Sequence, residues 1–256
     1  LSFSAGINLY AYVNNNPWRY FDRRGLSAEE YRSIYFYDDF EKIVGPMNRS
    51  CTFDLDVPNK ECTGIGFING IRTNKDECRS MGYYISDLVG CRNIECVHNA
   101  SHGFLNDIYE CILGLQGIAT PPVRELHNNW NEYINNNSSE FNYLQICTSQ
   151  GAIHVNNGLL SFPEELRKRI LVLAISPAVY IDPNLCGGVY HYRSKSWRDI
   201  IPYRDQKGAL RSHGTIRELN SHPKAPLHDH TILSPTFRDP IILHTDTFLR
   251  SGRKNI

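Results

Sequence analysis

The chain has 256 residues, with 27 basic and 27 acidic side chains and an apolar fraction of 41%. This length suits one large domain, with or without a short appendage. The charge balance argues against a dedicated nucleic-acid-binding protein, and no apolar run approaches the ~20 residues that a membrane span needs.

The first 26 residues are rich in tyrosine and asparagine, and they end in turn-forming residues. Residues 6–17 (GINLYAYVNNNP) and 20–26 (YFDRRGL) predict a strand followed by a turn. This sequence resembles the last repeat of an RHS/YD-repeat core, whose usual pattern is close to GxNLYxYVxNNPxxYxDPxGL. The resemblance implies that the chain is the end of a larger bacterial RHS protein, delivered outside the producing cell. In that family a β-cage encloses a C-terminal toxin or effector, and the core is often cut by its own aspartyl-protease-like motif just beyond this point. Here Arg23 replaces the proline that usually follows the aspartate of the repeat, so the resemblance does not extend to the cleavage.

Residues 27–61 are polar and aromatic without regular periodicity, which predicts a linker or a lid. From residue 62 to about 250, short aliphatic runs alternate with amphipathic segments, which predicts one α/β domain with a mostly parallel sheet flanked by helices. Strands are predicted over 63–68, 94–97, 143–147, 170–175, 189–192 and 215–219, and helices over about 78–88, 105–115, 120–134 and 150–160.

Ser149 lies between a predicted strand and the helix that follows it, in Ile-Cys-Thr-Ser-Gln-Gly-Ala. An α/β-hydrolase places its serine on such a turn, in the pattern G-x-S-x-G, so that the hydroxyl projects above the sheet. Gly151 fits this pattern, whereas Cys147 occupies the place of the first glycine. A helix-capping role alone would also suit a serine here. The position favours a nucleophilic Ser149 in an α/β-hydrolase-like domain.

The acid and the base of such a site follow the serine along the chain, in that order. Asp199 comes just after the strand at 189–192 and is the preferred acid, with Asp182 as the alternative. The bases available after the last strand are His222, His228 and His230. His230 is preferred because His-Thr-Ile-Leu resembles the wording around the histidine of lipase-like hydrolases.

Acyl transfer also needs donors for the oxyanion. The expected donors are the backbone N–H groups of Gly70, Ile71 and Gln150, although Asn69-Gly70 would equally suit an ordinary turn. The clustered histidines raise the question of zinc, but no second ligand pair has a familiar spacing. No metal and no cofactor is therefore expected.

Five segments between Phe67 and Pro240 carry a second resemblance. They read INGI, ATPPVRELH, SQGAIHV, PEELRKRI and HPxAPxxDH. This wording is similar to a family of RHS-tail proteins from obligate intracellular bacteria, and it implies a hydrolase-like fold without implying an activity.

The sequence as a whole predicts an esterase or lipase-like serine hydrolase that acts through an acyl-enzyme, as an effector or toxin domain. The alternative is an inactive hydrolase fold that serves as an interaction module, which Cys147 supports. A nuclease or deaminase is disfavoured by the neutral charge and by the lack of an HxE…CxxC signature. Expected partners are a small-molecule or lipid ester, the RHS core, an immunity or host protein and a membrane surface, but no nucleic acid.

Overall fold

The computed structural model describes residues 51–58, 62–71, 73–100 and 120–256. The predicted RHS repeat at 1–26, most of the predicted linker at 27–61 and the predicted helix over 105–115 lie outside these residues. None of the helices in the described residues combines the length and the hydropathy that a membrane span requires.

Seven strands form one sheet in the described residues, in the order β1-β3-β2-β4-β5-β6-β7. Every neighbouring pair is parallel except β1 and β3, which are antiparallel. The predicted mostly parallel sheet is therefore confirmed. The strands are β1 (Cys51–Phe53), β2 (Ile65–Ile68), β3 (Glu95–His98), β4 (Tyr143–Ser149), β5 (Ile170–Pro177), β6 (Gly188–Ser194) and β7 (Ile216–Leu219).

Helices cover both faces of the sheet, which is why the central strands β4 and β5 are buried along their whole length. Alternate residues of β4 enter two separate cores: Leu144 and Ile146 pack in one, and Tyr143 and Cys147 in the other. The helices are α1 (Lys75–Leu88), α2 (Pro121–Asn136), α3 (Gly151–Ser161), α4 (Glu164–Arg167), α5 (Gln206–Arg211) and α6 (Arg238–Arg250).

Strand β1 and the helices α4, α5 and α6 were not predicted from the sequence. Strand β1 has only three residues and pairs at the sheet edge, within the segment expected to be a linker or lid. Helix α6 contains Pro240 in its first turn and follows a short 3-10 turn, Pro235–Phe237. Pro240 is tolerated because a proline in the first turn removes no intrahelical hydrogen bond.

The parallel strands β2, β4, β5, β6 and β7 end at one edge of the sheet, so the segments that follow them meet there. In open α/β sheets ligands bind at this carboxyl edge. This edge carries the candidate site.

Candidate active site

Ser149 is the last residue of β4, and α3 begins two residues later at Gly151. Its φ of 52° lies in the left-handed region, which is strained for a residue with a Cβ. The pairing of β4 with β5 shifts at this point, and Ala178 N–H donates to the Ser149 carbonyl at 3.0 Å. The serine thus occupies a tight strand-to-helix turn with its side chain at the sheet edge, as in the nucleophile turn of α/β-hydrolases.

The turn packs closely against the loop after β2, which leaves no room for a Cβ at Gly151 in the turn or at Gly70 in the loop. A Cβ at Gly151 would stand 2.8 Å from the carbonyl oxygens of Ile68 and Asn69, and a Cβ at Gly70 would stand 2.7 Å from the Ser149 Cβ. Cys147, which replaces the first glycine of the pattern, instead packs in the core with α2 and α3. Burial raises the pKa of its thiol, so it is an inert core residue.

His230 joins Ser149 to Asp199. The distance from His230 Nε2 to Ser149 Oγ is 2.8 Å, and that from Nδ1 to Asp199 Oδ2 is also 2.8 Å. Because a carboxylate only accepts, Nδ1 is the donor to Asp199, and Nε2 is left to accept the Ser149 hydroxyl proton. The Asp199 side chain is 1% exposed, and its Oδ1 accepts from Ile201 N–H at 3.1 Å. The arrangement can remove a proton from Ser149 and orient the imidazole that does so.

The residues that the sequence offered as alternatives for the acid and the base make contacts elsewhere or are exposed. Asp182 caps the 3-10 turn Pro183–Leu185 and accepts from the Asn184 backbone and side chain. The His222 ring accepts from Lys224 N–H at 3.1 Å, and His228 is exposed. The structure therefore brings together the preferred residues Ser149, Asp199 and His230; their catalytic roles remain predictions.

A buried amide network holds the loop that contains the expected oxyanion donors. Asn69 Oδ1 accepts from Asn99 N–H at 2.7 Å, while Asn69 Nδ2 donates to the carbonyls of Asn99 at 3.0 Å and Gly70 at 2.8 Å. Asn99 Nδ2 donates in turn to Gln150 Oε1 at 2.9 Å. The network ties the loops after β2 and β3 to the Ser149 turn. That Gly70, Ile71 and Gln150 donate to an oxyanion stays a prediction.

The fully buried Asp229 anchors the segment that carries His230 through three hydrogen bonds. Its Oδ2 accepts from Thr236 Oγ1 at 2.7 Å, its N–H donates to the Arg198 carbonyl at 3.0 Å, and its carbonyl accepts from Ser194 Oγ at 3.1 Å. These bonds fix the backbone on which the His230 ring stands.

The positioning roles of Asn69, Asn99 and Asp229 were not predicted from the sequence. A signal was present for the two asparagines, since each directly follows a strand at the carboxyl edge. For Asp229 the local sequence held none, because its partners come from distant segments. Within the described residues no group of three or more histidine, cysteine or acidic side chains could hold a metal ion.

A family model described as "Protein of unknown function (DUF687)" matches residues 47–240. No curated protein matches the chain significantly. Among solved structures, the chain is similar to an α/β serine hydrolase without a lid from Xanthomonas campestris, at 11% identity and a TM-score of 0.41, covering 81% of this chain and 98% of that one.

Two further solved structures match this chain at a similar sequence identity and TM-score. A cutinase of Trichoderma reesei in complex with a phosphonate inhibitor is 10% identical, with a TM-score of 0.39 and 84% of each chain covered. An esterase of Pyrococcus furiosus is 10% identical, with a TM-score of 0.43, covering 82% of this chain and 95% of that one.

Proposed function

Because the chain belongs to the DUF687 family, whose description names no activity, we propose a function from the site: a serine hydrolase that cleaves esters through an acyl-enzyme. One observation carries this proposal. A continuous hydrogen-bonded chain runs from Ser149 Oγ through the His230 ring to Asp199, and its serine stands on a strained strand-to-helix turn.

The chemistry begins when His230 Nε2 takes the Ser149 proton and Oγ attacks the carbonyl carbon of the ester. The negative charge that develops on the carbonyl oxygen is placed near the N-terminus of α3 and the backbone N–H groups of Gly70, Ile71 and Gln150. When the tetrahedral intermediate collapses, the ester C–O bond breaks. His230 then gives its proton to the departing alcohol, and the acyl group is left on Ser149.

Water completes the cycle. His230 removes a proton from a water molecule, whose oxygen attacks the acyl carbon. Collapse of this second intermediate releases the acid and returns the proton to Ser149. Asp199 stabilises the imidazolium in both steps and holds the ring in the required tautomer. An acyltransferase would use the same residues, with an alcohol in place of the water.

The effector or toxin role and delivery outside the producing cell depend on the resemblance of residues 1–26 to an RHS repeat. Those residues lie outside the described part of the chain, so both statements stay predictions. The inactive interaction module loses its main support, because Cys147 packs in the core rather than obstructing the Ser149 turn.

A fluorophosphonate probe, which reacts with activated serines, tests the proposal. We expect the wild-type chain to be labelled and Ser149→Ala to show no labelling. Ser161→Ala is the matched control, because Ser161 lies on α3 at the opposite end from the turn. Among the described residues, its hydroxyl bonds only backbone carbonyls and the His127 ring.

Equal labelling of wild type and Ser149→Ala would contradict the proposal. A folded wild-type chain that is not labelled, with its fold checked by circular dichroism, would favour the interaction module instead.

A further inference from the structure

Two segments that flank the site are joined to each other. We call residues 195–205 the acid segment and residues 222–233 the histidine segment. Arg198 Nη2 donates to the carbonyls of Ala225 at 3.2 Å and Pro226 at 2.8 Å, and the Arg198 carbonyl accepts from Asp229 N–H. The neighbours of these residues, Trp197 and Leu227, therefore lie on adjoining stretches of backbone.

Large apolar side chains on both segments face solvent. Trp197 and Leu227 are each 73% exposed, Ile200 is 59% exposed and Leu233 is 42% exposed. Trp197 and Ile200 stand on either side of Asp199 along the chain, and Leu227 and Leu233 stand on either side of His230. Four of the seven exposed large apolar side chains in the described residues thus lie on the two segments that supply the acid and the base. Such a concentration marks an interaction surface.

The exposed charge on the same segments is positive. Lys195, Arg204 and Lys224 are exposed, and Arg198 is half-buried with its guanidinium 5.1 Å from the Trp197 ring. The three carboxylates of the two segments make hydrogen bonds within the fold and therefore do not offset this positive charge at the surface. Asp199 is bound to His230, Asp229 to Thr236, and Asp205 to the backbone of Tyr180 and Gly208. A surface that combines exposed apolar groups with lysine and arginine is complementary to an anionic lipid layer.

We propose that the acid and histidine segments dock the domain on an anionic phospholipid surface. Trp197, Ile200 and Leu227 enter the interfacial layer, where tryptophan is favoured, and Lys195 and Lys224 contact the lipid phosphates. Because Asp199 and His230 belong to the same segments, docking turns the site toward the lipid. The substrate class that follows, an ester of a membrane lipid, rests on the proposed serine hydrolase function, whereas the docking itself does not.

Binding to vesicles tests the docking without turnover. The full chain with Ser149→Ala is sedimented with vesicles of phosphatidylcholine and phosphatidylserine, and separately with phosphatidylcholine alone. We expect binding to the anionic vesicles, a loss of at least about tenfold on adding Trp197→Ala and Leu227→Ala, and a loss of roughly thirtyfold on adding Lys195→Gln and Lys224→Gln.

The matched control adds Leu210→Ala and Leu243→Ala, which remove side chains that are 79% and 58% exposed but lie on α5 and α6, outside both segments. We expect this control to bind anionic vesicles as the parent does. Equal binding by the Trp197/Leu227 variant and the control would overturn the docking proposal. An absence of vesicle binding would also overturn the proposal. This holds even if the same face is found to bind a protein.

Hydrolysis of a soluble ester, p-nitrophenyl butyrate, separates the two proposals. If the wild-type chain cleaves this ester in a Ser149-dependent manner but does not bind vesicles, the docking proposal fails and the hydrolase stands. If vesicle binding depends on Trp197 and Leu227 but no ester is cleaved, the docking proposal stands and the hydrolase fails.

Discussion

At the scale of single residues, the site is built on backbone conformations that most side chains avoid. Ser149 has a φ of 52° at the end of β4, and Ser176 has a φ of 45° near the end of the neighbouring β5. Both residues are buried, so the surrounding structure holds them in these conformations. Strain of this kind costs on the order of 1 kcal/mol or more and persists where neighbouring packing determines the geometry. The strain at Ser149 accompanies the projection of its hydroxyl toward His230.

The strain at Ser149 predicts a difference in stability between two substitutions of this serine. Ser149→Gly relieves the left-handed conformation, whereas Ser149→Ala keeps a Cβ in it. We expect the glycine variant to be the more stable by about 1 kcal/mol, because glycine adopts positive φ without steric cost. Urea unfolding followed by tryptophan fluorescence measures this difference. Identical unfolding free energies for the two variants would show that the turn stores no such strain.

At the scale of elements, the position of α3 against the loop after β2 decides the geometry of the site. The helix begins at Gly151, directly above the carbonyl oxygens of Ile68 and Asn69. The same loop is fastened through Asn69 and Asn99 to Gln150 at the start of the helix. Ser149 and the expected oxyanion donors are therefore held in place by the same contact between α3 and the loop after β2.

The close contact between α3 and the loop after β2 predicts that adding one methyl group at Gly151 destabilises the fold. In Gly151→Ala the new Cβ meets two backbone oxygens at 2.8 Å, and backbone cannot move aside as a side chain tip does. We expect a loss of unfolding free energy of about 1–3 kcal/mol, and a slower reaction of Ser149 with the fluorophosphonate probe because α3 is displaced from the loop.

Gly214→Ala is the matched control for this change, because a Cβ there meets nothing within 4 Å. It should leave both stability and probe reaction near wild type. If Gly151→Ala behaves as this control does, the close approach of α3 to the loop is not required.

At the scale of the whole molecule, two buried histidines make the fold sensitive to acid. His191 on β6 accepts from Ile181 N–H at 3.0 Å, and burial lowers its pKa to about 3. His244 on α6 contacts the Tyr192 hydroxyl at 2.8 Å, and burial lowers its pKa to about 4. Both rings are neutral in the folded protein under conditions in which the unfolded chain would bind a proton.

The sign of the resulting pH dependence follows from these shifts. An unfolded histidine titrates near 6.5, so below that pH the unfolded state binds protons that the folded state does not. Stability should therefore fall as the pH falls from about 6.5 toward 4, by about 1.4 kcal/mol per pH unit for each ring. Urea unfolding at pH 7, 6 and 5 measures this slope.

His244→Gln should lower the pH dependence of the unfolding free energy by the contribution of one histidine ring. Replacement of the exposed His213 by glutamine is the control and should leave the slope unchanged. A wild-type chain whose stability does not change between pH 7 and pH 5 would contradict the assignment of both rings as neutral in the fold.

The largely apolar segments at 143–147 and 170–175 identified the central strands from the sequence alone, and Ser-Gln-Gly between strand and helix located the turn at Ser149. These features are local, because burial of a strand and the start of a helix are encoded within a few neighbouring residues. Strand β1 and helix α6 escaped prediction because three edge residues and a proline-containing segment carry little periodicity.

Only the tertiary structure decided which acid and which histidine stand beside Ser149. Ser149 and His230 are 81 residues apart along the chain, and His230 and Asp199 are 31 apart. Their contact depends on β4, β6 and β7 lying parallel in one sheet, so that the segments after these strands converge at one edge. The amide network of Asn69 and Asn99 and the buried Asp229 have the same origin. Chain order narrowed the choices, but the selection among Asp182, Asp199 and three histidines required the packing of distant segments.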